Sequence, residues 1–434
     1  MEKNAQLTPY DEAINYLKTS PMFNLSLSSK ELFHSNFLYW LSTLDENKRI
    51  FKDLVQSIGV DVNNWSDTTW EVKREFKSLD VCVIDKEGKI LLVVENKVKS
   101  IPTIEQLKSY NVTISKNNKE DLDKSNKEGL DKSNKVLLSL TKPKFNSEDC
   151  GWSWVGYGKI KEYLTKLTET LNDYDVDKEK APYYNQIIID YTKFISAMLT
   201  VIDEWEQNDF KLETPYLLNY KSQEDVVEAA VDYTGSQSKV SNHYETAERL
   251  RIHDLYGKYR TAILCEELKK ALEDINLDKD NVKCGYSNAT PLLDVKIKGV
   301  GDKINDQSEE VFCIQIQGKQ YRHAIWAKYK DATNREDRIK QSVDRIQGKG
   351  EVWQWFMNIG DKPNNENNKC FSHLDNKKFK PTGQRNQYCA YDDKTGGAFI
   401  YQYVTIQNET TAQDVLDAIK KDVTNILKKL PTQQ

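Results

Sequence analysis

Apolar and polar positions repeat with two different periods along the first half of the chain. Residues 7–60 carry apolar side chains at helical spacing, and between 32 and 44 these nearly surround the helix, which predicts packing on more than one side. Strand-like blocks follow, and then a helix and one more strand. The predicted elements after the first helices are strands at 70–76, 79–84 and 90–94, a helix from Pro102 to about 115, and a strand at 136–140.

Two further helices, at 158–172 and 183–206, complete a first domain that is predicted to span residues 1–206. Residues 207–222 are predicted to be a linker and residues 223–434 a second domain of the α+β class. Two domains agree with the length of 434 residues, since one domain usually has about 100–200. The second domain is predicted to have helices at 223–274, 334–348 and 411–429, and strands at 292–297, 310–316, 321–327 and 398–406.

A charged insertion at 117–135 interrupts the first domain and contains a short duplication. Lys-Glu-Asp-Leu-Asp-Lys-Ser-Asn at 119–126 is followed by Lys-Glu-Gly-Leu-Asp-Lys-Ser-Asn at 127–134. Repeat folds need several units of roughly 20–50 residues, so this duplication does not predict one. A solvated loop that was lengthened by duplication is the better interpretation.

Composition and charge narrow the possible classes of protein. No apolar run approaches the roughly 18–20 residues of a membrane span, and the N-terminus has no apolar signal segment, so we expect a cytoplasmic protein without a membrane partner. The 7 cysteines are scattered, which favours reduced structural thiols over a disulfide framework or a zinc site. A net charge of -5 counts slightly against a nucleic-acid partner, although local basic patches can still bind phosphates.

Two acidic residues are predicted to face each other across the hairpin of the second and third strands. If Glu87 and Gly88 form a two-residue turn, paired residue numbers sum to 175, and Asp80 lies opposite Glu95. Directly opposed residues have Cβ atoms roughly 4.5–5.5 Å apart, so two carboxylates among buried Val and Ile side chains would repel each other. A divalent cation between them removes the repulsion. Oxygen ligands favour Mg²⁺, with Mn²⁺ as a substitute.

Lys97 is predicted to join this pair. Side chains alternate along a strand, so Glu95 and Lys97 point the same way and Asn96 points the other way. An ammonium group there can orient the attacking water, help to deprotonate it, or neutralise charge that builds on a phosphate. Two carboxylates, a cation and an amine together supply what phosphodiester hydrolysis needs.

Asp80 followed by Glu95-Asn96-Lys97 resembles the signature of the PD-(D/E)xK nuclease superfamily, with Leu79 where a proline often stands. The resemblance covers residues from about 29 to 205 and implies an α/β fold, namely a restriction-endonuclease-like α-β-β-β-α-β core with added helices. It also implies roles for three groups outside the signature. These are Glu31 as a further metal ligand, Gln106 and Tyr110 of the Gln-Leu-Lys-Ser-Tyr motif as supporting or substrate-binding residues, and Glu75 as a supporting acid beside the site.

Plainer interpretations of these supporting residues stay open. An acidic residue at the start of a helix is favoured by the helix dipole alone, so Glu31 need not bind metal. Gln106 and Tyr110 share a helix face, and Tyr110 can serve only in packing. A packed or capping role is favoured for His34 over contact with substrate.

The resemblance implies a Mg²⁺-dependent nuclease that hydrolyses DNA, plausible as an effector of anti-phage defence or restriction, acting as a homo-oligomer or with a protein partner. The alternatives are a nuclease-derived scaffold without catalysis and an RNA-cleaving nuclease. A run of basic residues with interleaved aromatics, from Lys319 to Lys349, raises the hypothesis that the second domain binds DNA or a partner protein. A solvated helix and strand edge is the competing interpretation of that run. The sequence leaves open endonuclease or exonuclease action, specificity and the activating trigger.

Overall fold

The computed structural model describes residues 7–29, 31–62, 65, 70–98, 100–118, 134–143, 145–209, 211–216, 236–273, 281–287, 290–297, 310–328, 371–381, 389–392 and 397–429. The chain divides into two compact units. Unit 1 comprises Met1–Asn208 and Glu245–Leu255, and unit 2 comprises Asp209–Tyr244 and Tyr256–Gln434. The division after Asn208 falls within the linker predicted at 207–222, whereas Glu245–Leu255 group with unit 1 although the sequence places them in the second domain.

Unit 1 begins with four short helices where the sequence predicts a largely continuous helical stretch. The N-terminus of the first helix is stabilised by a capping box between Thr8 and Asp11, and proline occupies the first helical position. The helices are α1 (Pro9–Thr19), α2 (Pro21–Ser29), α3 (Glu31–Leu41), α4 (Arg49–Ser57), α5 (Ile104–Asn118), α6 (Tyr157–Thr170) and α7 (Ala181–Asn208).

A five-stranded mixed sheet forms the centre of unit 1. Its strands are β1 (Trp70–Phe76), β2 (Leu79–Asp85), β3 (Ile90–Lys97), β4 (Asn134–Ser139) and β5 (Ser153–Gly156), in that spatial order. The first three are antiparallel, and β4 and β5 continue the sheet in parallel from β3. The predicted order of helix, three strands, helix and strand is therefore present. The sequence pattern missed β5, which has only 4 residues and so no period to detect.

The turn between β2 and β3 differs from the predicted two-residue turn. The N–H of Gly88 donates to the carbonyl of Asp85, and the Asp85 side chain accepts from the N–H groups of Glu87 and Lys89 at 2.9 and 2.8 Å. Gly88 has a φ of +81°, which a glycine adopts without strain. Lys86 and Glu87 are therefore at the centre of the turn.

A bulge in β3 compensates for this longer turn. Near the turn Ile84 pairs with Ile90, not with Leu91 as the sequence predicts, but Val83 pairs with Leu92 because Leu91 is the extra residue. From the pair of Val83 and Leu92 to the pair of Val81 and Val94, the numbers of paired residues sum to 175, as the sequence predicts. The longer turn and the bulge therefore offset each other, and the predicted pairing holds at the end of the strands where the acidic residues lie.

Helices cover both faces of the sheet, so β2 and β3 are buried along most of their length. On one face, Leu107 and Ile114 of α5 pack with Cys82, Val93 and Leu137. The opposite face is contacted by α3 along β1 to β3, and Tyr157, at the start of α6, hydrogen-bonds to Asn96 of β3.

Unit 2 is built around an antiparallel sheet, in agreement with the predicted α+β class. Its strands are β6 (Val282–Ser287), β7 (Thr290–Ile297), β8 (Glu310–Gln317), β9 (Gln320–Lys328), β10 (Phe379–Pro381), β11 (Cys389–Asp392) and β12 (Gly397–Ile406). Their spatial order is β10-β12-β9-β8-β7-β6, with β11 paired to β12. The remaining described helices are α8 (Ser236–Arg249), α9 (His253–Glu273) and α10 (Ala412–Lys429). The insertion at 119–133 and the predicted helix at 334–348 lie outside the described residues.

In the described part of the basic run in unit 2, two side chains lie inside the sheet, and the hypothesis that the run binds DNA or a partner protein stays a prediction. Arg322 is buried, donates to Gln315 and Gln320, and stacks on the ring of Tyr401. His323 is fully buried. These two side chains therefore serve the interior of the sheet, and residues 329–349 of the run lie outside the described residues.

A buried carboxylate joins β9, α10 and the segment before β10. Asp422 accepts hydrogen bonds from the Tyr321 hydroxyl at 2.6 Å and from His323 Nε2 at 2.7 Å, and it contacts His373 Nε2. Burial alone raises the pKa of the Asp422 carboxyl, but the two imidazoles, His323 foremost, outweigh it and hold the pKa at about 2.

Acid is therefore expected to weaken unit 2 through Asp422. Because the folded-state pKa lies below the ordinary value, the carboxylate contributes stability above about pH 4, and this is lost as the pH falls toward about 2. Replacing Asp422 with Asn should lower the free energy of unfolding by about 2–3 kcal/mol at pH 7. Calorimetry of the full chain between pH 2 and 7 measures both effects, and an Asn variant with unchanged acid sensitivity would refute this role.

Two smaller findings concern membranes and cysteines. Among the helices that the structure describes, none is both long and apolar enough to cross a bilayer. The side chains of Cys265 and Cys284 face each other as a pair, while Cys82, Cys150 and Cys313 are free and buried.

Candidate active site

Asp80 and Glu95 lie on neighbouring strands at the end of the sheet where β2 begins and β3 ends. Val81 pairs with Val94, and one further step of the same register places Asp80 opposite Glu95. Asp80 Oδ2 accepts a hydrogen bond of 2.7 Å from the main-chain N–H of Asn96. The Asp80 carboxylate therefore reaches across to β3 and is fixed to the residue that follows Glu95.

Glu95 is held from two sides. Its Oε1 atom is 2.7 Å from Lys97 Nζ and accepts a hydrogen bond of 3.0 Å from the Tyr110 hydroxyl. Gln106 Nε2 donates to the same hydroxyl at 2.7 Å. The Glu95 and Lys97 side chains are 1% and 10% exposed, so this ion pair is shielded from solvent.

Gln106 and Tyr110 are thus more than packing residues of α5. They lie one turn apart on the face of α5 toward β3, and Tyr110 also packs on the core that contains Leu107. Burial, followed by the Glu95 charge, raises the pKa of Tyr110, which keeps its hydroxyl neutral and able to donate. The motif orients one oxygen of Glu95, and the supporting role of Gln106 and Tyr110 in a reaction stays a prediction.

The two carboxylates raise each other's energy. Burial, followed by the charge of Glu95, raises the pKa of Asp80 to about 7, although the Asn96 N–H and the Lys97 ammonium act in the opposite direction. At neutral pH the site thus holds more negative charge than Lys97 alone neutralises. A proton or an added cation relieves this excess.

Glu75 lies on β1 on the other side of Asp80. Arg74 pairs with Val81 and Phe76 with Leu79, so the register places Glu75 opposite Asp80. The Glu75 charge also raises the pKa of Asp80, but less than burial and the Glu95 charge do. Glu75 has a φ of +52°, a left-handed conformation that is strained for a residue with a Cβ atom. The strained backbone and the acidic neighbour together keep Glu75 a candidate for a supporting role.

Glu31 is the first residue of α3, but its side chain lies outside the described residues. Its assignment as a metal ligand therefore stays a prediction. His34, one turn further along α3, is fully buried and hydrogen-bonded to the Tyr191 hydroxyl at 2.8 Å. Contact of His34 with substrate is excluded by this burial, and the packed interpretation is correct.

The donor set fits a hard divalent cation. Mg²⁺ is commonly held by one or two carboxylates and keeps several water ligands, and Asp80 and Glu95 provide such a pair. Among the described side chains, no group of three or more His, Cys, Asp or Glu residues is placed to hold a metal ion. Asp80 and Glu95 would hold the ion together with water, groups of the substrate or the predicted ligand Glu31, whose side chain lies outside the described residues.

Comparison with known proteins agrees with this geometry. Residues 22–193 match the family model of the PD-(D/E)XK nuclease superfamily. The match encloses every predicted site residue from Glu31 to Tyr110 and the whole five-stranded sheet. No curated protein and no solved structure matches the chain. The similarity of residues 22–193 to the PD-(D/E)XK nuclease superfamily confirms the resemblance and the α/β fold that it implies.

Proposed function

We propose that this protein is a Mg²⁺-dependent nuclease that hydrolyses phosphodiester bonds of DNA. The strongest support is the convergence of Asp80, Glu95 and Lys97 at one end of the five-stranded sheet. This sheet lies within the residues that match the PD-(D/E)XK superfamily, whose members are mostly nucleases. A metal-dependent nuclease is the activity that the family indicates. The choice of Mg²⁺ and of DNA is the further step, taken from the oxygen ligands and the family resemblance.

Each residue of the site has a distinct task in the proposed reaction. A divalent cation bound by Asp80 and Glu95 would polarise the phosphoryl oxygen and lower the pKa of water. Lys97, at 2.7 Å from Glu95, orients the attacking water or neutralises charge that develops on the phosphate. Tyr110 holds Glu95, and the Asn96 N–H holds Asp80, so the ligands are positioned before the cation and substrate arrive.

The proposal extends to biological context only as the resemblance implies it. A cytoplasmic effector of anti-phage defence or restriction, acting as a homo-oligomer or with a protein partner, is the working assumption. A direct biochemical test does not depend on it.

The test compares circular duplex DNA, linear duplex DNA and matched RNA as substrates, each with Mg²⁺, with Mn²⁺ and with a chelator. We expect metal-dependent loss of DNA that is absent with the chelator and in a Glu95→Gln variant. Loss of the circles would assign internal cutting, because an exonuclease needs an end. Cleavage of RNA alone would correct the substrate, and cleavage by the Glu95→Gln variant at the parent rate would refute the site.

A further inference from the structure

Asn96 lies between two residues of the proposed active site but points away from it. Strand alternation puts its side chain on the opposite face of the sheet from Glu95 and Lys97, and the residue is fully buried. Its main-chain N–H is the donor to Asp80 Oδ2. Whatever fixes the side chain of Asn96 therefore also fixes the peptide group that holds Asp80.

A chain of buried hydrogen bonds holds that side chain. The Tyr157 hydroxyl donates to Asn96 Oδ1 at 2.6 Å, and the Tyr191 and Tyr157 hydroxyls are hydrogen-bonded to each other. His34 Nδ1 lies 2.8 Å from the Tyr191 hydroxyl. All four residues are fully buried, and the three outer ones come from α3, α6 and α7.

The Tyr157 hydroxyl donates to Asn96 Oδ1, whereas the donor between His34 Nδ1 and the Tyr191 hydroxyl depends on the His34 tautomer. Successive hydrogen bonds in a dry interior polarise one another, so a chain of this kind is stiffer than its separate links.

Aromatic packing removes most of the remaining freedom of these groups. The His34 ring stacks on Phe194 with centroids 5.6 Å apart and meets the edges of the Tyr157 and Tyr191 rings at 6.1 and 5.8 Å. Tyr191 also stacks on Phe37 at 3.5 Å. None of the four hydrogen-bonding residues reaches solvent, so this network cannot contact the substrate directly.

We propose that His34, Tyr191, Tyr157 and Asn96 form a positioning network that sets the Asp80–Glu95 spacing for cation binding from behind the sheet. The inference rests on the proposed function of the same site. The network connects three helices to the peptide group that donates to Asp80, so its loss should reduce metal affinity more than a comparable loss of packing elsewhere. Partners that orient metal ligands typically change affinity by about 10–100-fold when they are removed.

The test is Tyr157→Phe, with Tyr163→Phe as the matched control. Tyr163 lies on the same helix, α6, and its hydroxyl also donates a hydrogen bond of 2.6 Å, in this case to the main-chain carbonyl of Ile50. Each variant loses one hydroxyl with two partners, Asn96 and Tyr191 for Tyr157, and the Ile50 carbonyl and Tyr174 for Tyr163, so both should lower the melting temperature. Only Tyr157→Phe should weaken Mn²⁺ binding, by about 10-fold or more when measured by titration calorimetry on the full chain.

Two more measurements make the outcome decisive. Tyr191→Phe keeps the Tyr157–Asn96 bond and removes the two links beyond it, to Tyr157 and to His34, so a smaller loss of Mn²⁺ affinity is expected. This variant also replaces Tyr157→Phe if that variant does not fold. With DNA as substrate, the Tyr157→Phe defect should lie in kcat at low metal concentration and not in KM for DNA.

Equal Mn²⁺ affinity in Tyr157→Phe and Tyr163→Phe would overturn the network while leaving the nuclease proposal intact. Absence of Mn²⁺ binding in the parent protein would instead overturn the proposed function, and the network with it.

Discussion

Replacing Asp80 with asparagine is expected to abolish metal-dependent cleavage and, at the same time, to raise the melting temperature of the metal-free protein. The loss of activity follows from the loss of a metal ligand and should reach about 10³-fold or more, comparable to the removal of a central group in other active sites. The gain in stability follows from the charge that Asp80 carries in a buried, already acidic site.

The sign of the stability change follows from the pKa of Asp80. Because the folded-state pKa is raised to about 7 from an ordinary value near 4, the folded protein resists ionisation of Asp80. Stability is therefore lost as the pH rises from about 4 to about 7, at about 1.4 kcal/mol for each pKa unit. A neutral amide at this position avoids the cost and can still accept the Asn96 N–H, so up to about 4 kcal/mol should be regained at pH 8.

Thermal unfolding at pH 4 and pH 8 with a chelator present measures this effect. The Asp80→Asn variant should melt several degrees above the parent at pH 8 and close to it at pH 4. Asp203→Asn, on the exposed side of α7, is the control and should change neither melting temperature nor cleavage. A variant that cleaves normally, or one that is less stable than the parent at pH 8, would contradict the assignment of Asp80.

The second large effect is expected for Lys97→Met. Cleavage should fall by about 10²–10⁴-fold because the ammonium group that lies beside Glu95 is lost. The substitution also leaves the buried Glu95 carboxylate without this charge partner, although the Tyr110 hydroxyl still donates to it. Breaking a buried ion pair in this way typically costs about 3–5 kcal/mol.

A single replacement at Glu95 or at Lys97 is therefore expected to lower the melting temperature. The structure shows Glu95 and Lys97 as a shielded pair, so single replacements there unbalance a buried charge. In the double variant Glu95→Gln with Lys97→Met, both charges are absent, and most of the lost stability should return while cleavage stays absent. Recovery of cleavage in the double variant, or full activity of Lys97→Met, would show that Lys97 has no part in the reaction.

The register around the site is predicted from an assumed two-residue turn, and it is correct because the longer turn and the bulge at Leu91 offset each other. A slip of one residue would turn Asp80 and Glu95 to the face of the sheet that α3 contacts, and such a slip is strongly disfavoured in a buried strand. The turn could not be predicted to the same accuracy. Gly88 supports either a two-residue turn or the longer turn observed, and the choice depends on Asp85 and on a bulge at Leu91.

The positioning network could not be predicted from the sequence. His34 and Tyr191 are 157 residues apart and Tyr157 and Asn96 are 61 apart, so only the packing of α3, α6 and α7 brings them together. An asparagine between two functional residues on a buried strand was the one available signal, since a buried amide requires partners. The same reasoning applies to Asp422, whose polarity interrupts the apolar face of α10 without revealing that His323 is its partner.

The account depends on a divalent cation being bound by Asp80 and Glu95, and titration calorimetry of metal-free protein with Mn²⁺ at about pH 8, above the raised pKa of Asp80, tests this most directly. It predicts saturable binding in the parent chain and in Asp203→Asn, and loss of that binding in Asp80→Asn and in Glu95→Gln. Binding of Mn²⁺ by both site variants with the parent's affinity would contradict it, because the cation would then be held somewhere else.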